Sequence, residues 1–143
     1  MVLVCNDPRF VFIKTRKTGG TSVEMALQKA ASISDAPVIE QTDAVITPRG
    51  IVGRRKLPAD QASPEGRIWY NHMPAAEVRQ HLGHTQWNDS TIIATVRNPF
   101  ARMVSQFHFR RSRDGAAPLG DRASAQADFL KFLQSDSWSD DRD

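Results

Sequence analysis

Cysteine occurs once in these 143 residues, as Cys5, which excludes an intramolecular disulfide and any cysteine-based metal spacing. A reducing compartment is the expectation that follows. No stretch approaches the ~18 consecutive apolar residues that a spanning helix needs. The opening MVLVCNDPRF also lacks the apolar segment of a signal peptide. The chain is therefore expected to be cytoplasmic, with no membrane span. Charge of one sign does not dominate either: 19 Lys and Arg against 16 Asp and Glu leave a net +3, too little for a dedicated nucleic-acid binder. No nucleic-acid partner is expected. Internal repeats are missing as well, and the length and the 40% hydrophobic content fit one globular domain, residues 1–143.

What the chain does have is clustered basic charge, at 14–17, 49–56 and 97–113, set against an acidic tail, SDSWSDDRD. The first cluster interrupts a strand-to-helix pattern. FVFIK, residues 10–14, is a short apolar run suited to a buried strand. After the Gly19–Gly20 pair, Val23, Ala26, Leu27 and Ala30 recur at the spacing of one helix face, and Thr21 with Glu24 predicts a capping box. Ile92–Val96 predicts a second buried strand. Asn98 then serves as N-cap, Pro99 suits the first helical position, and Phe100, Met103, Val104 and Phe107 form the apolar stripe. Between the two units Pro74 and Gly83 bracket a helix, and AQADFLKFLQ predicts a last one. Residues 32–67, with four prolines and three glycines, predict a long loop on the acceptor side. Alternating strands and helices predict an α/β fold whose sheet is mostly parallel and flanked by helices.

In such a fold anions gather where strands end and helices begin, because the first helical N–H groups lack partners. RKTGGTS occupies that place. The glycines allow close backbone approach, Lys17 brings a mobile charge, and Thr18, Thr21 and Ser22 bring hydroxyls. The order is not that of the nucleoside-triphosphate loop G-x-x-x-x-G-K-[ST], since Lys17 precedes both glycines. Nor does the second strand end in a magnesium-binding aspartate. It ends in Arg97, so the pattern predicts a second anion site without a metal. Ser105, about 150° from the centre of its helix's apolar stripe at ~100° per residue, is free to join Arg97 on that second anion.

FVFIKTRKTGGTSVE together with TIIATVRNPFARMVSQFHF resembles the two donor-binding motifs of the sulfotransferase family, in its bacterial and carbohydrate (Golgi-type) branch, over about residues 10–109. The resemblance implies a P-loop-NTPase-like core and 3′-phosphoadenosine 5′-phosphosulfate (PAPS) as sulfuryl donor. It assigns Lys17, Thr18, Gly19, Gly20, Thr21 and Ser22 to the 5′-phosphosulfate, and Arg97 and Ser105 to the 3′-phosphate. Arg16 counts with the donor contacts. YNHMPAAEVRQHLG is similar to a family stretch in which a histidine faces the acceptor, which points to His72.

Lys17 is then the candidate to steady the leaving phosphate and His72 the candidate base, with His81, His84 and His108 as rivals. The implied acceptor is a hydroxyl on a carbohydrate or small metabolite, and oligomerisation stays open. This chain departs from the family in carrying Lys14, Thr15 and Arg16 where many members have His-x-Pro. It is also shorter than family domains, so it is expected to lack their C-terminal part or to find it elsewhere. Two other readings remain: a nucleotide-dependent phosphotransferase, and a non-catalytic anion- or nucleotide-binding module.

Overall fold

The computed structural model describes residues 2–55 and 68–135. Its elements are the strands β1 (Val2–Asn6), β2 (Arg9–Ile13), β3 (Val45–Thr47), β4 (Gly50–Val52) and β5 (Thr91–Ala94), and the helices α1 (Gly20–Ala30), α2 (Ala75–Asn88), α3 (Pro99–Arg113) and α4 (Arg122–Gln134). The strands form one sheet in the order β3-β4-β1-β2-β5.

The expected mostly parallel, P-loop-NTPase-like sheet is not what forms. Among the described residues three of the four pairings are antiparallel: β1 with β2 (Val2 opposite Ile13), β1 with β4 (Leu3 opposite Val52) and β3 with β4 (Thr47 opposite Gly50). The fourth, β2 with β5, runs parallel, with Phe10 opposite Thr91 and Ile13 opposite Ala94. The cause lies in connection length. Antiparallel neighbours need only a two-residue turn, and Asp7–Pro8 and Pro48–Arg49 provide two of them, whereas a parallel neighbour needs a crossover. Most of the difference comes from β1, whose residues carried no strand expectation. The stretch 32–67, expected to be a loop throughout, contains the β3–β4 hairpin, and its residues 56–67 lie outside those described.

The chain divides into two compact units, Met1–Val96 and Arg97–Asp143. In the first, β1 and β2 are central and buried on both faces, which is why VLVC and FVFI read as continuous apolar runs. One face packs Leu3, Cys5, Phe10, Phe12, Ile33 and Val52 with Leu27 and Ala31 from the α1 side. The other packs Val2, Val4, Val11 and Ile13 with Trp69, Met73 and Val78, the last on α2. The predicted second strand is Thr91–Ala94, and it is not fully buried. Among the described residues it pairs on one side only, and Ile92 is 42% exposed.

In the second unit Asn98 caps α3 as expected, its side chain accepting from the N–H groups of Phe100 and Ala101. The predicted stripe buries only at Phe107, which packs on Phe129 and Phe132 of α4, while Phe100 stays exposed. No helix among the described residues is long and apolar enough to cross a membrane.

Candidate anion-binding site

The chain leaves β2 at Ile13 and enters α1 at Gly20 through Lys14–Gly19. Two backbone positions shape this loop. Gly19 is the N-cap of α1 at φ 77°, and Lys17 lies at φ 60°, a left-handed conformation that costs a side-chain-bearing residue of order 1–3 kcal/mol. Gly19 offers α1 no side-chain cap and the first turn of the helix carries no acidic residue, so the helix's positive end is not neutralised from within the helix. Gly20 is fixed by crowding: a Cβ there would lie 2.8 Å from Cγ of Lys14.

The expected Thr21–Glu24 capping box does not form. Glu24 is fully buried, and its Oε1 accepts from Arg55 Nε (3.1 Å) and Nη2 (2.8 Å). Arg55 also donates to the Gln28 side chain and to the Ile39 carbonyl. Glu24 and Gln28 are one helical turn apart, so α1 turns a polar pair inward beside Leu27, and Val23 of the predicted stripe is left partly exposed. Burial raises the Glu24 carboxyl above its usual pKa, against the pull of Arg55. Lys14 is buried beside this cluster; desolvation lowers its pKa and the Glu24 charge opposes that.

Two arginines of the basic cluster at 49–56 are engaged within the protein, and residue 56 lies outside those described. Arg55 belongs to this buried cluster, and Arg49 grips both oxygens of Asp35 (2.9 and 3.0 Å) and donates to the Ser32 carbonyl.

A second cluster ties the loop to the end of β5. Thr15 Oγ1 donates to the Thr95 carbonyl at 2.6 Å and lies 2.9 Å from Thr18 Oγ1. Thr18 Oγ1 donates to the Thr15 carbonyl at 3.0 Å and lies 2.7 Å from Thr95 Oγ1. Thr18 was expected to offer its hydroxyl to a ligand; instead that hydroxyl is engaged within the protein. Sequence reasoning missed Thr95 and the role of Thr15. The available signal was a hydroxyl residue at the end of the strand neighbouring the loop.

His72 belongs to the same unit and comes to the loop. Its Nδ1 is 3.3 Å from the Lys14 carbonyl. A carbonyl only accepts, so Nδ1 carries the proton and Nε2 keeps the lone pair. The His72 backbone is left-handed too, at φ 59°; with Lys17 and Ser32 it is one of three non-glycine residues at positive φ among those described. Burial, then the charge of the N-terminus and, less, those of Lys14 and Arg16, lower its pKa to about 4, against the hydrogen bond to the Lys14 carbonyl. The rivals are engaged elsewhere. His81 packs its ring on Trp69 (5.5 Å between centroids), His84 Nδ1 lies 3.2 Å from Arg79 Nη2, and His108 rests on Phe107 in the second unit. Gly83, expected to close the helix from Pro74, breaks it at φ 75°, and helical turns resume to Asn88.

The structure thus brings Lys14, Thr15, Thr18, Gly20, Thr95 and His72 together around one loop. Arg97 and Ser105 belong to the second unit, Arg97 exposed before the α3 cap and Ser105 half-buried within α3. Comparisons of the chain with protein-family models, with curated proteins and with solved structures found no match.

Proposed function

We propose that the protein transfers a sulfuryl group from PAPS to an acceptor hydroxyl, on a carbohydrate or small metabolite. The observation that carries this reading is the start of α1 without a side-chain cap at Gly19, preceded by the strained Lys17, with His72 against the Lys14 carbonyl of the same loop. Two of the three left-handed non-glycine residues among those described are Lys17 and His72, the two candidates for catalysis that the family resemblance implies. Strain of this kind persists where a site requires it.

The donor supplies a sulfuryl group on a phosphate leaving group. Around it the protein provides fixed charge. The backbone N–H groups at the start of α1, the hydroxyls of Thr21 and Ser22, and Lys17 hold the 5′ end. Lys17 acts most strongly as negative charge builds on the leaving oxygen, which is where a cation lowers the barrier rather than only tightening binding. Arg16 adds to the local positive field. Arg97 and Ser105 are assigned to the 3′-phosphate by the family resemblance alone. His72 is neutral at neutral pH, so Nε2 can take the acceptor's proton, with the Lys14 carbonyl fixing the tautomer. A bound anion beside it raises its basicity from the low value of the free protein.

The depressed His72 pKa also favours a second reading, an anion- or nucleotide-binding module without transfer, because about 4 is low for a general base. Single-turnover transfer from radiolabelled donor to a panel of hydroxyl acceptors separates the two. Sulfated product supports the enzyme; tight donor binding with no product across the panel supports the module.

A further inference from the structure

The three threonine hydroxyls at the base of the loop balance as donors and acceptors. Thr15 gives its proton to the Thr95 carbonyl (2.6 Å). Thr18 shares its proton between the Thr15 carbonyl (3.0 Å) and Thr15 Oγ1 (2.9 Å). The remaining contact, Thr95 Oγ1 to Thr18 Oγ1 at 2.7 Å, is then donated by Thr95. On this assignment all three protons are committed inside the protein.

The geometry points to a latch: Thr15, Thr18 and Thr95 hold the loop between β2 and α1 in its observed shape against the end of β5, and Thr95 is a positioning residue for that loop. Thr18 lies between the left-handed Lys17 and the left-handed Gly19, and its side chain pins the chain between those two turns. The Lys17 backbone is strained, so a loop released from β5 relaxes away from this shape. Thr18 accordingly supports binding through the position of its backbone, not through a hydroxyl contact to the ligand. The nucleotide arm of the test rests on the proposed function; the latch itself does not.

The test compares the full chain with Thr95→Val, which keeps the shape and removes the hydroxyl, and with Thr95→Ser, which restores it. Backbone amide relaxation on isotope-labelled protein should give order parameters near ~0.85 for residues 16–19 in the parent and in Thr95→Ser, and below about 0.6 in Thr95→Val. Titration with adenosine 3′,5′-bisphosphate should show about a tenfold loss in Thr95→Val and about twofold or less in Thr95→Ser, the scale of one hydrogen bond. Unchanged order parameters in Thr95→Val overturn the latch, whatever the titration gives. If the parent does not bind this nucleotide, the proposed function fails and the latch is judged from the order parameters alone. Should Thr95→Val not fold, Thr15→Val removes the 2.6 Å bond from the loop side and is read in the same way.

Discussion

Replacing Glu24 by leucine strands the Arg55 guanidinium in the core. Both side chains are almost completely buried, 1% exposed for Arg55 and 0% for Glu24, so water cannot reach the cation that remains. Breaking a buried pair from one side costs about 3–5 kcal/mol. An unfolding entropy of ~2.1 cal/mol/K per residue gives roughly 0.2 kcal/mol/K for the first unit alone and roughly 0.3 for the whole chain. The melting temperature should therefore fall by about 10–25 °C, the larger drop applying if the first unit melts by itself. The double variant Glu24→Leu with Arg55→Met should recover most of the loss. It will not recover all of it, since Gln28 and the Ile39 carbonyl lose their donor, at about 1–2 kcal/mol. Urea unfolding of the four proteins completes the cycle, with a coupling energy of about 2 kcal/mol or more expected. A loss below about 1 kcal/mol for Glu24→Leu alone would show that the pair is not closed off from water, and the account of α1 would fail.

Gly20→Ala should destabilise by roughly 1–3 kcal/mol, because the added methyl meets Lys14 Cγ at 2.8 Å, while Gly19→Ala should lose roughly 1–2 kcal/mol to its φ of 77° alone. Chemical denaturation checks both, and a neutral Gly20→Ala contradicts the packing of Lys14. His72 has a folded-state pKa of about 4, below the unfolded value of about 6.5. The unfolded chain therefore binds more protons between those values, and this ring opposes folding increasingly as pH falls from 6.5 towards 4. His72→Asn should flatten the fall in stability across that window; an unchanged slope in denaturant midpoints against pH would refute the burial of the ring. Asn98→Ala removes the acceptor of two N–H groups at the start of α3 and should cost about 1 kcal/mol. Equal helix content and equal melting in the variant would contradict the cap.

The legible parts of the fold were those set by local chemistry. Asn98–Pro99 marked a helix start because a side-chain acceptor and a fixed φ act within one turn. The glycine pair marked a strand-to-helix turn, since positive φ and close approach leave few other residues. Sheet direction was not legible. Tight turns at Asp7–Pro8 and Pro48–Arg49 create antiparallel neighbours that strand–helix alternation does not announce.

The inward face of α1 departs from its apolar periodicity for a related reason. Glu24 and Gln28 count as polar in any periodicity, and only Arg55, far along the chain, makes them interior residues. Within the candidate site, the sequence points to Lys17 and His72, and the structure adds their left-handed backbones. It does not point to Thr95, whose partners Thr15 and Thr18 lie in the distant β2–α1 loop, with no spacing rule to link them.

Under the proposed function, the loop at the start of α1 binds one end of a doubly phosphorylated adenosine. Calorimetric titration of adenosine 3′,5′-bisphosphate into the full chain, beside ATP with and without magnesium, checks this. The bisphosphate should bind in preference, without magnesium, and Lys17→Ala should lose at least tenfold in affinity (about 1.4 kcal/mol). Equal or tighter binding of ATP with magnesium, or affinity unmoved by Lys17→Ala, would contradict it.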